Sequence, residues 1–348
     1  MQASDALARD FPGQMMVNAK QIATLLGVSQ STISRAFTPD ASISPAMRER
    51  VFKAANELGY HPNAIARSLI TKRSNIVGIV ISNPTNPYYP EVLAQFSRLL
   101  RGSGFQSLLF NVPDSKDVEK ELPNLLQYQV DAVVVVSATV TSEVARRCAA
   151  ERKLLVLFNL YVPGAEIAAV SCDNADGGRQ VADYVAACGY RRPAFAAGVA
   201  ASSTSMDRER GFTERLHALG LPLHARAGGD AFSYEAGRAA ALSLCEARPD
   251  VIFFANDLMA IGGMDALRFE AGLRIPDDIA VIGFDDQPMA AWASYRLTTV
   301  YRPIARMVEL TVDMLIRNAQ GAPVAAAPHF VPVNLIKRQS SGPRERRD

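Results

Sequence analysis

The stretch IATLLGVSQSTISRAF at residues 22–37 decides how the first part of this 348-residue chain folds. Its apolar side chains recur at the spacing of two short helices, and Gly27 stands between them where a tight turn needs a positive φ. Ser29 is in a position to cap the second helix. The pattern predicts a helix-turn-helix, the motif whose second helix fits the major groove of DNA. Five apolar residues are expected to face one small core: Ile22, Leu25, Leu26, Ile33 and Ala36.

The charge distribution supports a role in DNA binding. Residues 18–73 hold eight Lys and Arg against three Asp and Glu, whereas residues 74–336 carry a net charge of −5. A basic head on an acidic body suits contact with phosphates. An ordinary corner between two helices is the competing interpretation. The polar residues at the start of the second helix, where a recognition helix meets base edges, are Gln30, Ser31, Thr32 and Arg35.

Two further segments complete the predicted head and its connection to the rest of the chain. AMRERVFKAANELGY at residues 46–60 predicts a third helix. HPNAIARSL at residues 61–69 predicts a helix of about six residues capped by Asn63, which is too short to be stable alone because nucleation is costly. Its basic Arg67 and apolar Leu69 fit a minor groove, with Leu69 as a wedge between base pairs. A plain linker is the alternative.

From Asn75 onward, apolar runs alternate with amphipathic helical patterns. NIVGIVIS, FQSLLFN, DAVVVVS and KLLVLFN form a first set of runs; RPAFAAG, a short strand near 225–228, VIFFAND and IAVIGFDD form a second. Such continuous runs between helices predict parallel strands that are covered on both faces. Two halves in series predict two Rossmann-like subdomains with a cleft between them. LTTVYRP and a helix at 303–319 are expected to cross back, and HFVPVNLIK to form one last strand.

The predicted fold class is an all-α helix-turn-helix DNA-binding head plus an α/β core of two Rossmann-like subdomains, like that of periplasmic binding proteins. The predicted boundaries are a disordered tail at 1–17, the head at 18–60, a hinge helix and linker at 61–74, the core at 75–338 and a disordered tail at 339–348. Within the core, the first subdomain is predicted to comprise 75–172 plus about 302–328, and the second 173–301 plus about 329–338.

Composition argues against several other classes of protein. No apolar run reaches the roughly 18 residues that a membrane span needs, and MQASDALARDFPGQMM lacks the apolar stretch of a signal peptide. We therefore expect a cytoplasmic, nucleoid-associated protein with no membrane partner, no metal and no cofactor. The cysteines lie far apart, form no C-x-x-C pair and are expected to be reduced, buried thiols: Cys148, Cys172, Cys188 and Cys245.

Polar and aromatic side chains follow the predicted strands of both halves, at the edge where parallel sheets bind ligands. Amide, carboxylate and guanidinium groups suit the hydroxyls of a polyhydroxylated ligand, while aromatic rings stack on its C–H faces. The candidates are Tyr88, Tyr89, Asn159, Arg208, Phe232, Asn256 and Asp285, with Arg302 as a weaker one. The competing roles are Tyr88 in the core, Asp257 as a helix cap, and Asp173 and Asp176 as caps rather than metal ligands.

Five segments carry a family likeness: IATLLGVSQSTISRAF, ISPAMRERVFKAANELGYHPNAIARSL, NIVGIVIS followed by NPYY, FFANDLMAIGGMDALRFEAGLRIPDDIAVIGFDD, and LTTVYRP. Together they resemble the LacI/GalR family of bacterial transcription regulators, and the resemblance covers nearly everything from 18 to 338. Two departures are VNAKQIA, where the family usually opens with threonine before D-V-A, and Thr38, where an asparagine often follows the recognition helix.

The resemblance implies a homodimeric repressor that binds a near-palindromic operator and whose operator affinity is controlled by a small-molecule effector. The resemblance implies that Arg35 contacts guanine and Gln30 contacts adenine. The implied base readers are Gln30, Ser31 and Arg35; the implied backbone contacts are Ser29, Thr32, Ser34 and Asn63; the implied minor-groove residues are Arg67 and Leu69. The implied effector contacts are Tyr89, Asn159, Arg208, Phe232, Asn256 and Asp285, with Tyr88 beside them.

Two other classes of function remain as alternatives. A two-lobed solute-binding protein would share the body but not the basic three-helix head. An enzyme is disfavoured because the sequence has no G-x-G-x-x-G after the first strand, no G-x-x-x-x-G-K-[ST] and no G-x-S-x-G. The effector is expected to be a sugar or sugar derivative, although relatives with similar pocket residues sense purines and nucleosides.

Overall fold

The computed structural model of the chain describes residues 17–38, 41–60, 73–82, 86–112, 118–136 and 142–344. The chain divides into two compact units, with the boundary between Ser74 and Asn75. The first unit contains three described helices: α1 (Ala19–Leu26), α2 (Gln30–Ala36) and α3 (Pro45–Glu57).

Local capping sets the bounds of the helices in the first unit. Asn18 and Gln21 form a reciprocal capping box at the start of α1, in which each side chain accepts a hydrogen bond from the backbone N–H of the other. Gly27 ends α1 with φ of 67°, a conformation that costs glycine little. Ser29 caps α2 and Ser44 caps α3, each accepting a backbone N–H three residues on. These caps confirm the turn predicted between α1 and α2.

The core of the first unit is small and apolar. Ile22, Ile33 and Val51, one from each helix, are fully buried and pack together. The prediction that Leu25 belongs to this core is wrong, since 43% of its surface is exposed. Ile22, Ala23 and the half-buried Leu26 already occupy the inner side of this short helix, which leaves Leu25 on the outer side.

The second unit begins with a six-stranded parallel sheet. Its strands are β1 (Ile76–Ser82), β2 (Gln106–Val112), β3 (Ala132–Val135), β4 (Leu154–Phe158), β5 (Ala168–Cys172) and β11 (Pro328–Val331). They lie in the order β11-β5-β4-β3-β1-β2. The helices between or after these strands are α4 (Tyr88–Gly102), α5 (Val118–Gln127), α6 (Ser142–Ala150) and α11 (Ile304–Ala319).

A second parallel sheet forms the other lobe of the same unit. Its strands are β6 (Pro193–Ala197), β7 (Ala225–Gly228), β8 (Val251–Phe254) and β9 (Ala280–Ile282), in the order β7-β6-β8-β9. Its helices are α7 (Asn174–Ala187), α8 (Ser203–Ala218), α9 (Tyr234–Cys245), α10 (Asp257–Phe269) and a 3₁₀ turn at Pro288–Ala291. The strands β10 (Thr299–Tyr301) and β12 (Asn334–Ile336) pair antiparallel with each other. The predicted fold class is thereby confirmed.

The last part of the chain differs from the sequence-based prediction. HFVPVNLIK forms two strands in different sheets rather than one, because β11 extends the first sheet while β12 pairs with β10. Residues 329–331 therefore belong to the first lobe, not to the second as predicted. Residues 339–344 are not a disordered tail. The Ser340 hydroxyl donates to the Val281 carbonyl, and Arg344 forms an ion pair with Asp250.

The topology of each sheet fixes where a ligand can bind. In the first sheet the order in which successive strands are added reverses between β1 and β3, and in the second sheet it reverses between β6 and β8, while all strands stay parallel. Parallel sheets bind ligands at the carboxyl ends of strands beside such reversals. Strand β5 is the last strand before the second lobe. It was not predicted from the sequence, because no helical pattern separates it from β4.

A membrane-spanning helix and a metal site can be looked for only among the residues that the structure describes. Within the described ranges, no helix combines the length and apolar character needed to cross a membrane. Among the same residues, no group of three or more His, Cys, Asp or Glu lies close enough together to hold a metal ion. The four cysteines are free thiols, three of them buried and Cys245 partly exposed.

Candidate functional site

The predicted recognition surface lies on the outer face of α2. Gln30, Ser31, Ser34 and Arg35 are exposed there, and Thr32 is partly exposed. The inner face of the same helix is occupied by the core residues Ile33 and Ala36, so packing fixes the helix without using the polar side chains. This arrangement leaves the predicted base readers accessible.

Three hydroxyl groups form a cluster at the start of α2. Ser29 Oγ lies 2.7 Å from Ser31 Oγ and 2.9 Å from Thr32 Oγ1, and it accepts the backbone N–H of Thr32 at 3.2 Å. Arg48 Nη2 donates to the carbonyls of Thr38 and Ala41 at 3.3 Å each and so ties the segment after α2 to α3. The cap and the cluster hold this end of α2 in one conformation. The predicted hinge residues Asn63, Arg67 and Leu69 lie outside the described residues.

In the second unit, Arg302 connects the two lobes at the carboxyl ends of their strands. Its Nη1 donates to Asn159 Oδ1 at 2.7 Å, directly after β4 of the first sheet. Its Nη2 lies 3.0 Å from Asp285 Oδ1, close after β9 of the second sheet. The guanidinium stacks on the Tyr88 ring, 3.6 Å from the ring centroid. The sequence marked Arg302 as a weaker candidate, yet it contacts three of the main ones.

Arg208, predicted as a main ligand contact, is also buried in this cluster. Its Nε donates to Asn174 Oδ1 at 2.8 Å, and its Nη1 donates to the carbonyl of Ala255, which follows β8. Its Nη2 lies 3.4 Å from Asp285 Oδ1, and its guanidinium stacks on Phe284 at 3.6 Å. Arg208 thus lies near the point between β6 and β8 where the strand order of the second sheet reverses.

Close packing of α7 and α8 brings Arg208 to Asn174. A Cβ atom at Gly178 would lie 2.4 Å from the Arg208 carbonyl oxygen, and one at Gly211 would lie 2.0 Å from the carbonyl oxygen of Ala175. Both glycines therefore permit an approach that any side chain would block. The α7–α8 packing, rather than a local motif, determines this contact.

Asp285 is shared by both guanidinium groups. Its side chain is buried, its Oδ2 accepts from Gln287 Nε2 at 3.4 Å, and its backbone φ is 131°. Asn159 at the end of β4 also has a positive φ, 68°. Non-glycine residues held in such conformations cluster at functional sites, because surrounding contacts must offset the strain. The strain therefore supports the assignment of both residues to a binding site.

Burial and charge shift the pKa values of these groups. Burial lowers the pKa of Arg208. Burial also opposes the charge on Arg302, but Asp285 at 3.0 Å and then Tyr88 outweigh it, so the pKa of Arg302 is raised. Burial raises the pKa of the Tyr88 phenol well above its usual range.

The prediction that Asp257 caps α10 is wrong. Asn256 is the cap of α10, because its Oδ1 accepts the backbone N–H of Met259 at 2.9 Å. Asp257 is not the cap; its carboxylate accepts from Thr299 Oγ1 at 2.5 Å and from the Gln287 backbone N–H at 2.8 Å. Burial, and then the charge of Asp285, raise the pKa of Asp257 to about 7. The cap engages Oδ1 of Asn256, and the contact of this residue with a ligand stays a prediction.

The aromatic candidates have different environments. Tyr88 is buried, as the core interpretation predicts, and also lies beneath Arg302. Tyr89 and Phe232 are partly exposed. The Phe232 ring lies over Gly198 at the end of β6, where a Cβ atom would come within 2.1 Å of it.

The capping interpretation of two other carboxylates holds in part. Asp173 caps α7 through the N–H of Asp176, as predicted. Asp176 instead accepts from Arg179 and Gln180 within the helix.

Sequence reasoning missed a second contact between the lobes. The Tyr161 hydroxyl donates to Asp207 Oδ2 at 2.8 Å, and its backbone N–H donates to Ser203 Oγ at 3.2 Å. Burial, and then the hydrogen bond to Asp207, raise the pKa of Tyr161 to about 12. Its position two residues after Asn159 is a signal that could have identified it. Asn174 was missed because β5, which it follows, was not recognised.

Two family models match the chain. The model of the lacI family of bacterial regulatory proteins matches residues 18–63, and that of a periplasmic binding protein-like domain matches residues 182–341. The first match contains the three-helix head, and the second contains most of the second lobe.

Curated relatives match along most of the chain. It is 31% identical over 333 residues to the HTH-type transcriptional regulator CelR of Thermobifida fusca, covering 92% of this chain and 97% of that protein. It is 30% identical over 311 residues to the ribose operon repressor of Escherichia coli strain K12, covering 87% of this chain and 93% of the relative.

Solved structures agree with these relatives. The fold is similar to the lac repressor dimer bound to operator and the anti-inducer ONPF, with a TM-score of 0.85 and 25% identity, covering 94% of this chain and 99% of that chain. It is also similar to a CelR–cellobiose complex, with a TM-score of 0.71 and 28% identity, covering 93% and 100%. The chain therefore belongs to the lacI family and is an effector-controlled, DNA-binding transcriptional regulator rather than an enzyme.

Proposed function

We propose that this chain is a homodimeric repressor that binds a near-palindromic operator and responds to a sugar or sugar derivative bound between the two lobes of its second unit. The observation that carries the proposal is the convergence of side chains from both lobes on Asp285. Arg302 contacts Asn159, Tyr88 and Asp285. Arg208 forms an ion pair with Asp285 directly. A ligand at this junction contacts both lobes at once and therefore favours one of their relative arrangements.

For DNA, the proposed base readers are Gln30, Ser31 and Arg35, all exposed on α2. Arginine on guanine and glutamine on adenine are pairs that the donor and acceptor pattern of the major groove allows. Leu69 is proposed to enter the minor groove at the operator centre, where an apolar wedge bends the duplex. A dimer matches the two-fold symmetry of such a site.

For the ligand, support comes from the relatives. A sugar, cellobiose, is bound by the similar CelR, and ribose is part of the name of another relative. In this chain, carboxylate, amide and guanidinium groups lie beside the partly exposed rings of Tyr89 and Phe232, a combination that suits hydroxyl groups and C–H faces. Because a repressor acts where its operator DNA lies, we also propose that this protein acts in the cytoplasm.

The proposal is tested with purified full-length chain and two measurements. A thermal-shift screen against sugars, sugar acids and purines identifies the ligand class. Fluorescence anisotropy then compares a palindromic operator with random duplex at fixed salt, with and without ligand. Binding to the operator no tighter than to random duplex contradicts the repressor function. A screen in which purines alone raise the unfolding temperature contradicts the sugar assignment.

Two variants test the assigned residues separately. Leu69→Ala should weaken operator binding and leave ligand affinity within about threefold, because a wedge contributes only to the bent complex. Phe232→Ala should weaken ligand binding and leave operator binding without ligand unchanged. Unchanged operator affinity in Leu69→Ala contradicts the wedge role.

A further inference from the structure

The buried cluster around Asp285 holds more positive than negative charge. Arg208 and Arg302 are 2% and 3% exposed, and both form their ion pair with the same oxygen, Asp285 Oδ1. No other carboxylate among the described residues forms an ion pair with either guanidinium. Buried cations are normally paired one for one, because an unbalanced buried charge is unfavourable.

The neighbouring acids do not supply the missing charge. Asp257 is also buried and accepts hydrogen bonds from Thr299 and the backbone of Gln287, not from a guanidinium. Burial and the charge of Asp285 raise its pKa to about 7, so near neutral pH it is only partly ionised. Asp286 is engaged with Arg338 at 2.7 Å. The excess of positive charge therefore remains on the pair of arginines.

Two hydrogen-bond donors in the same place are also unsatisfied. Arg302 Nε and the Tyr88 hydroxyl are buried and have no hydrogen-bond partner among the described residues. They are close together, because the Arg302 guanidinium stacks directly on the Tyr88 ring. Arg208, in contrast, has a partner at each of its three nitrogens. The excess of positive charge thus coincides with two unsatisfied donors at Arg302, and the unsatisfied acceptors nearby, Asp285 Oδ1 and Gln287 Oε1, form no hydrogen bond with either donor.

We propose that the effector carries an anionic group, a carboxylate or a phosphate, that accepts hydrogen bonds from Arg302 Nε and the Tyr88 hydroxyl. This inference rests on the proposed function, because it names the chemical class of the ligand of the same cleft. A neutral hydroxyl oxygen can accept from both donors, but only an anionic oxygen also balances the charge of the second guanidinium. The ligand is then an acidic or phosphorylated sugar rather than a neutral one.

The test compares charged sugars with their neutral parents on the full-length chain. Calorimetric titration at constant ionic strength uses glucuronate, gluconate and glucose 6-phosphate against glucose, and ribose 5-phosphate against ribose. We expect at least one acid or phosphate ester to bind about tenfold or more tightly than its parent. Preference for the acids identifies a carboxylate, and preference for the esters identifies a phosphate. Equal binding of charged and neutral sugars, or binding of no charged member, overturns the inference.

Two variants assign any preference to the proposed residues. Arg302→Gln should remove most of the charge preference, whereas Arg306→Gln, which removes an exposed arginine four residues on, should leave it unchanged. If Arg302→Gln does not fold, Tyr88→Phe removes only one hydroxyl and should weaken binding of the anion by about three- to tenfold. Full retention of the charge preference in Tyr88→Phe and in folded Arg302→Gln contradicts the proposal.

Operator binding, measured in parallel, distinguishes failure of the proposed repressor function from failure of the proposed anionic ligand. A neutral sugar that binds the cleft and changes operator affinity leaves the proposed function intact and overturns the anionic ligand. Absence of specific operator binding refutes the repressor function, while the titrations still decide the charge of the ligand.

Discussion

The two candidate sites of this chain place their functional side chains in opposite ways. On α2, Gln30 and Arg35 are exposed and the core beneath them is entirely apolar. Between the lobes, Arg208, Arg302 and Asp285 are buried and depend on one another for charge balance. A side chain of the first kind contributes little to folding, whereas one of the second kind contributes to stability and, under the proposed function, also to ligand binding.

The largest effect is expected from Asp285→Ala, which leaves two buried guanidinium groups without their shared carboxylate. The free energy of unfolding of the second unit should fall by about 3–5 kcal/mol. Urea unfolding followed by the fluorescence of Trp292, the chain's single tryptophan, measures it. The matched control is Asp286→Ala, which breaks a more exposed ion pair with Arg338 and should cost about 1 kcal/mol or less. Equal losses for the two variants would show that the cluster is not interdependent.

A pH titration sharpens the description of the buried site. The pKa of Asp257 rises from an ordinary 3.8 to about 7 on folding, so the folded state binds more protons than the unfolded state between these values. Stability should therefore fall as the pH rises from about 4 to 7, at up to about 1.4 kcal/mol per pH unit, and level off above 7. Asp257→Asn should lack this component. If the free energies of unfolding of wild type and Asp257→Asn differ by the same amount at every pH between 4 and 8, the raised pKa is contradicted.

At the exposed site on α2, a substitution should change DNA binding strongly and stability little. Arg35→Ala should lower the preference for operator over random duplex by roughly ten- to a hundredfold, about 1–3 kcal/mol, because one base contact is lost. The free energy of unfolding of this variant should stay within about 0.5 kcal/mol of that of wild type. Arg50→Ala removes the same charge from an exposed position on α3 and should weaken both duplexes equally. A specificity ratio that drops equally in both variants argues against base reading by Arg35.

The smallest effect is expected at the second contact between the lobes. Tyr161→Phe removes the hydrogen bond to Asp207 and should lower the free energy of unfolding by about 1 kcal/mol. Tyr128→Phe, at an exposed tyrosine, serves as the control. Loss of the same size in both variants would mean that the contact contributes nothing to holding the lobes together.

The same contrast explains what the sequence could predict. The turn at Gly27, the cap at Ser29 and the parallel strands follow from local patterns, since spacing and capping act within a few residues. The pairing of Arg302 with Asn159, 143 positions away, leaves no local pattern. For the same reason the cap of α10 was predicted at Asp257 rather than at Asn256, and Tyr161 was missed, because burial and partners depend on how the two sheets meet.

Coupling between the two units is the central claim, and an operator titration with and without ligand tests it most directly. Anisotropy of the labelled operator is recorded at fixed salt for wild type and for Phe232→Ala, at a ligand concentration that saturates only the wild type. The account predicts that the ligand changes the operator affinity of wild type by about tenfold or more and leaves the variant unchanged. A ligand that binds the cleft with full occupancy and leaves the operator affinity of wild type unaltered would contradict it.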